Sequence, residues 1–331
     1  MARQPNAQIK IHGIHPPTFH PQKVGRLQVA RFYPARSWEN PAATVDQFVT
    51  AVLSGANIET ASNIVRQAAA KGAQIILLQE LFETRYFCPE QKAEHFALAR
   101  PFADNDTIKA FSDLAAELGI VLPISFFERD INAYYNTVAM IDADGGVMGR
   151  YRKIHIPDGP GYQEKFYFTP GDTGFKVWQT RHGAIGVAVC WDQWFPEAAR
   201  IMAQQGADIL LYPTAIGAHP GVPGYDSQTT WQRAMQGHAA CNVIPVAASN
   251  RIGDEHWDDL SMTFYGSSFV ADQHGETIAQ AGRQDEDIVM ASFDFAAIRA
   301  ERAAWGLFRD RRPEFYEPLL SHSGKLPGSV L

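Results

Sequence analysis

Cysteine is scarce in this chain: Cys88, Cys190 and Cys241 are the only three in 331 residues. An odd set with no Cys-x-x-Cys spacing excludes a disulfide framework and a zinc ribbon, and it fits free thiols in a reducing cytoplasm. Positive charge is also in deficit. Lys and Arg total 29 against 36 Asp and Glu, a formal net charge of -7, so neither nucleic acid nor an anionic membrane is an expected partner. No apolar run approaches the roughly 20 residues that span a bilayer. Residues 1–25 have prolines and polar side chains where a secretory signal needs an apolar core.

What is present is an ordinary globular composition, 46% hydrophobic and 20% charged, enough for a sizeable core. Residues 1–25, rich in Pro, His and Gln and without periodicity, read as a poorly ordered arm. His12, His15 and His20 lie there, but no carboxylate or thiolate accompanies them and no metal site is expected. From Leu27 onwards strands and helices alternate. The spacing of Ile58, Ala61, Ile64, Val65 and Ala68 predicts a helix over 58–71, ended by Gly72. The run AQIILLQ (73–79) predicts a strand buried on both faces. A second helix is expected over 107–118, with Asp106 as N-cap and Gly119 as its stop. Further strands are expected over 120–126, 137–142, 147–151, 183–189, 209–213 and 243–248, and helices over 196–205 and 231–241. A hairpin pairs 264–272 with 276–281 across Gln273-His274-Gly275. Alternating elements with several hairpins predict an α/β layered domain with a mixed sheet, over 26–320, followed by a tail at 321–331. The Pro- and aromatic-rich end after Arg311 has no core of its own and suits packing on a partner subunit.

Cys190 ends the apolar strand AIGVAVC, just before a helix begins. A bend of this kind points the sulfur out of the sheet, offers backbone N–H groups to an oxyanion, and lets the helix dipole favour a thiolate. A buried structural cysteine is the alternative. Glu80 ends IILLQE at the strand end where open α/β sheets place their sites, and burial there would raise its pKa and suit it to take a thiol proton. A solvated strand-end glutamate is the plain alternative. Lys153, after the strand over 147–151, is either an oxyanion partner or a solvated lysine. Glu164 lies in the loop GYQEKFYFTPGD and carries less local signal.

Read as a set, LLQELFE (77–83), YRKIHIPDGPGYQEKFYFTPGD (151–172) and GVAVCWDQWFPEAAR (186–200) closely resemble the motifs of the nitrilase superfamily of carbon–nitrogen hydrolases. LLYPTAIG, NVIPVAASNR and FYGSSFVADQHGE follow in the expected order, and the likeness covers 58–320. It implies a four-layer α-β-β-α sandwich that forms homodimers or larger homo-oligomers. It also implies Glu80, Lys153 and Cys190 as catalytic residues, with Glu164 as a second glutamate, and neither a metal nor an organic cofactor. On that basis Glu80 takes the Cys190 proton, the thiolate attacks a carbonyl carbon, and Lys153 with the Trp191 backbone N–H holds the oxyanion. Glu164 orients Lys153 and the substrate.

Superfamily members that act on carbamoyl amino acids need a cation for the substrate carboxylate, often an arginine just after the cysteine. Here those places are Gln193 and Trp194. Glu83 and Asp158 are spare acids suited to an amine end. The wording of the motifs is most similar to the branch that converts N-carbamoylputrescine to putrescine, ammonia and carbon dioxide, and that reaction is the expected one. The rivals are a β-ureidopropionase-like or aliphatic amidase and, more remotely, a binding protein on the same fold. A papain-like scheme of Cys190, His238 and Asn250, or a serine scheme at Gly266-Ser267-Ser268, has no supporting local motif. The chain departs from the superfamily pattern at 32–57, which separates the first strand from the first helix.

Overall fold

The computed structural model describes residues 25–30, 46–220, 222, 224–258 and 260–325. The arm at 1–24, with its three histidines, and the last six residues lie outside that description, as do residues 31–45.

The architecture follows from strands that are apolar on both sides. In β2 (Ile75–Leu77), Ile75 and Leu77 face one core while Ile76 and Leu78 face another, as the period of two requires. Helices α1 (Asp46–Ala70) and α2 (Asp106–Leu118) cover the second of these, with Ile64, Val65, Ala68, Phe111 and Leu114 packed on Ile76, Leu78, Leu122 and Ile124. The other core lies between two sheets. Leu77, Val121, Val138 and Met140 meet Ile185, Val187, Ile209 and Leu211 there.

The first sheet takes the order β14 (Ile288–Phe293), β1 (Gly25–Ala30), β2. It continues through a parallel bridge between Ile75 and Val121 into β3 (Leu122–Asp130), β4 (Ala133–Ile141) and β5 (Val147–Arg152). The second sheet runs β13 (Thr277–Gln280), β12 (Phe269–Ala271), β9 (Val246–Asn250), β8 (Ile209–Thr214), β7 (Gly183–Val187), β6 (Val177–Thr180). Its parallel strands β7, β8 and β9 are joined by α3 (Pro196–Gln204) and α4 (Gln228–Asn242), since parallel neighbours need crossovers. Met202 of α3 and Trp231 and Met235 of α4 pack on this sheet. The result is an α-β-β-α sandwich, with α5 (Phe295–Trp305) beyond it. A separate two-stranded hairpin, β10 (Ile252–His256) with β11 (Ser261–Tyr265), stands off both sheets. No helix among the described residues is long and apolar enough to cross a membrane.

Several boundaries differ from the sequence reading. Helix α1 runs back to Asp46 rather than starting at 58, so part of the departing segment 32–57 is helix. The N-cap of α2 is Asn105, not Asp106: its side chain accepts from the Thr107 and Ile108 N–H groups. The long strand expected over 264–272 is broken, because Gly266 and Ser267 have φ of 55° and 57° and divide it into β11 and β12. Strands β6, β10 and β14 and helix α5 were not anticipated.

Candidate active site

Four buried side chains converge where β2, β5 and β7 end. Glu80 comes three residues after β2, Lys153 directly after β5, and Cys190 three residues after β7. Glu164 begins a short 3-10 turn, Glu164–Phe166. Glu80 and Lys153 are 0% exposed and Glu164 is 1%, so the solvated-surface alternatives for Glu80 and Lys153 do not hold.

The Lys153 ammonium donates to Glu80 Oε1 at 2.8 Å and to Glu164 Oε2 at 2.7 Å. Burial on its own pulls Lys153 down, but Glu164 and Glu80 outweigh it and hold the ammonium well above its ordinary value. Burial pushes the Glu164 carboxyl up to about 7, against the opposing pull of Lys153. The other oxygen of Glu164 accepts from the Tyr86 hydroxyl at 2.7 Å. Glu80 Oε1 also accepts from Asn136 Nδ2 at 2.6 Å, whereas Glu80 Oε2 is buried with no partner among the described residues. A desolvated carboxylate oxygen without a donor is a competent proton acceptor.

Cys190 sits at a forced bend, in the left-handed region at φ 43°, a strained place for a residue with a side chain. Its sulfur lies 4.0 Å from the Ala215 carbonyl. The expected helix-dipole thiolate is not what this geometry favours. A 3-10 turn, Cys190–Trp194, precedes α3, so the helix N-terminus is several residues away. Burial, reinforced by Glu80, drives the thiol well above its ordinary value. A thiol pushed in this direction acts as a nucleophile only where a base can take its proton.

The backbone around the site is pinned by the same few groups. Asp192, fully buried, accepts from the Val189 N–H at 3.0 Å, the Tyr151 hydroxyl at 2.7 Å, and His155 through its N–H at 2.9 Å and Nδ1 at 2.7 Å. It ties the Cys190 turn to the strand that carries Lys153. The Lys153 N–H donates to the Asn136 carbonyl at 2.8 Å, and the Lys153 carbonyl accepts from the Gly171 N–H at 2.8 Å.

The other anticipated contacts are distributed unevenly. Trp191, next to Cys190 in the chain, is 38% exposed. Gln193 is buried, its Oε1 accepting from the Thr214 hydroxyl at 3.1 Å. Trp194 is half-buried against the inter-sheet core. Glu83 is raised by burial and hydrogen-bonded to Thr107 at the start of α2, and Asp158 is on the surface. His238 gives its Nε2 to the Gln193 carbonyl at 2.8 Å, and Asn250 holds backbone groups of Ile216 and Gly266. Ser267 bonds the Tyr265 carbonyl and Ser268 the Asn250 backbone, so the papain-like and serine schemes do not assemble. Tyr86 and Asn136 touch the charged cluster and were missed. Their partners are 78 and 56 residues away in the chain, beyond any local pattern.

The carbon-nitrogen hydrolase family model matches residues 42–303, and the chain belongs to that family, a group of hydrolases that act on C–N amide bonds. An N-carbamoylputrescine amidase of Solanum tuberosum is 57% identical over 275 residues, covering 82% of this chain and 92% of that protein. A citrullinase of Francisella tularensis subsp. tularensis is 56% identical over 264 residues, covering 80% and 92%. The crystal structure of a carbon-nitrogen hydrolase from Helicobacter pylori G27 superposes with a TM-score of 0.80 at 37% identity, covering 91% of this chain and 99% of that one.

Proposed function

We propose that the chain hydrolyses N-carbamoylputrescine to putrescine, ammonia and carbon dioxide through a thioester on Cys190. The observation that carries the mechanism is the unpartnered Glu80 Oε2 in a cluster where a raised thiol needs a base. Glu80 takes the Cys190 proton as the sulfur bonds to the carbamoyl carbon. The Lys153 ammonium and the Trp191 N–H neutralise the oxyanion. When the tetrahedral species collapses, the C–N bond breaks and Glu80 returns the proton to the departing nitrogen. Water, deprotonated by the same glutamate, then attacks the thioester and frees the cysteine, releasing a carbamic acid whose remaining C–N bond breaks as it decomposes to carbon dioxide and the second amine. Glu164 keeps the ammonium aimed, braced by Tyr86.

The substrate assignment rests on likeness to the potato enzyme and on the residues after the nucleophile. Neither Gln193 nor Trp194 offers a cation to a carboxylate. The likeness to a citrullinase supports a second reading, because citrulline carries the same ureido group and differs at the far end. A substrate panel separates them. N-carbamoylputrescine, citrulline, N-carbamoyl-β-alanine and a simple aliphatic amide are compared by kcat/KM, and the first should exceed the others by at least about 10-fold, the scale of one well-made polar contact. A preference for N-carbamoyl-β-alanine or citrulline would overturn the substrate. Cys190→Ala should abolish turnover with an unchanged circular dichroism spectrum; residual turnover would overturn the nucleophile.

A further inference from the structure

The motif NVIPVAASNR ends in two buried residues, Asn250 and Arg251, that have no part in the chemistry above. Asn250 closes β9, and its amide grips the chain on the nucleophile side. Its Oδ1 accepts from the Ile216 N–H at 2.9 Å, and its Nδ2 donates to the Ile216 and Gly266 carbonyls at 2.9 Å each. Ile216 follows Ala215, whose carbonyl is the one beside the Cys190 sulfur.

Arg251 turns the other way. Its Nη2 reaches the carbonyls of Leu81 at 2.7 Å, Thr84 at 3.1 Å and Glu80 at 3.3 Å. Its Nη1 pairs with Glu255 Oε1 at 2.7 Å, and Glu255 Oε2 accepts the Tyr86 N–H at 2.8 Å. The two side chains are also joined locally, since Asn250 Oδ1 accepts the Arg251 N–H at 2.9 Å. Leu81 within the gripped loop has φ 49°, a conformation that persists only where its surroundings impose it.

From this we infer that Arg251, supported by Glu255 on the β10–β11 hairpin, is a positioning residue that sets the Glu80 carboxylate against the sulfur, with Asn250 as the fixed point on the nucleophile side. Three carbonyl contacts and a carboxylate partner call for the planar, several-donor guanidinium, which an ammonium does not replace. The hairpin that stands off both sheets thereby holds the loop carrying Glu80 and Tyr86, through Arg251 for the first and Glu255 for the second.

The inference rests on Glu80 and Cys190 acting as proposed, and its test exploits the second duty of Glu80. Return of a proton to the leaving nitrogen is essential for an amide, whereas the nitrophenolate of p-nitrophenyl acetate leaves without one. Arg251→Lys is compared with the wild type on N-carbamoylputrescine turnover and on the acylation burst with p-nitrophenyl acetate. The expected result is a loss on the carbamoyl substrate at least about 10-fold greater than on the ester, with KM little changed, since general acid catalysis carries factors of this size or more. Equal losses on both substrates, or none, overturn the inference, because a purely structural role lowers the amount of active enzyme for both alike. Should Arg251→Lys fail to fold, Glu255→Gln gives the same decision, since it keeps an acceptor for the Tyr86 N–H while removing the charge that steadies Arg251. Wild-type enzyme inert toward N-carbamoylputrescine would instead sink the proposed function.

Discussion

The two oxygens of Glu80 are treated differently, and that asymmetry has consequences for single side chains. Oε1 is saturated by Lys153 and Asn136, so in the proposed mechanism Oε2 is the oxygen left for the reacting proton. Removing the Asn136 amide frees the carboxylate to rotate and to share both oxygens with Lys153. A hydrogen bond to a charged group contributes about 1.5–3 kcal/mol, so Asn136→Ala should lower kcat by about 10- to 100-fold with KM little affected. Steady-state kinetics on the folded variant checks this, and an unchanged kcat would show that Asn136 does not set the base. Glu164 adds a pH dependence. Burial raises its carboxyl to about 7, so acidification below that value neutralises it and leaves Lys153 to Glu80 alone, where a tighter ion pair weakens the base. Activity should therefore fall below about pH 7, on the acid side. Glu164→Gln should be poorly active throughout and lack that limb in a pH–rate profile. The sign for stability is the opposite of the usual carboxylate case. The folded chain holds this proton more tightly than the unfolded chain, so the group favours folding most below its ordinary value of 4.5 and progressively less as pH rises toward 7.

At the scale of elements, the site is a set of strand ends and the loops that lock them. Much of this was legible in the sequence. AQIILLQE announced a doubly buried strand with a carboxylate at its end, and AIGVAVC did the same for the sulfur, because burial on both faces leaves an uninterrupted apolar run. The α-β-β-α sandwich and the grouping of Glu80, Lys153, Glu164 and Cys190 came from the family resemblance that the motifs carry, the residues alone giving only an α/β layered domain. The β10–β11 hairpin could not be anticipated: its pattern, IGDEH with SMTFY, mixes charge with apolar residues, because Met262 and Phe264 cluster with Leu81 and Tyr86 while Glu255 accepts the Tyr86 N–H. Glu255 belongs to that hairpin and Arg251 directly precedes it, and their partners near Leu81 and Tyr86 are about 170 residues distant. Gly171 is another residue whose importance lies in an approach between segments. A Cβ added there would come within 2.0 Å of the Arg152 carbonyl and 2.8 Å of the Lys153 carbonyl, so the segment carrying it can lie on the end of β5 only as glycine. Gly171→Ala should displace Lys153 and lower kcat at least about 10-fold while costing about 1–3 kcal/mol of stability. Kinetics together with urea denaturation checks both, and wild-type values in each would show that the segment yields without moving the lysine.

At the scale of the whole molecule, the sheet that bears Glu80 and Lys153 is joined to its strand from the end of the chain, β14, through an element near the start of the chain. β1 lies between β14 and β2: Gln28 is in register with Met290 on one side and Ile76 on the other. Its N–H therefore serves the ladder whichever neighbour it faces, and proline at that position removes a bond that no solvent can replace. The second sheet ends differently, because β13 pairs with β12 at the edge of that sheet, and Ile278 within it is 47% exposed. Edge strands tolerate a missing donor where the N–H faces water. Gln28→Pro should thus destabilise the fold by roughly 3 kcal/mol or more, and Ile278→Pro by clearly less. The difference would appear as separated midpoints in urea denaturation followed by tryptophan fluorescence. Gln28→Pro should also lose activity in parallel with folded fraction, because β1, β2 and the Glu80 loop come apart together. Equal midpoints for the two variants would mean that the Glu80 sheet coheres without its N-terminal strand.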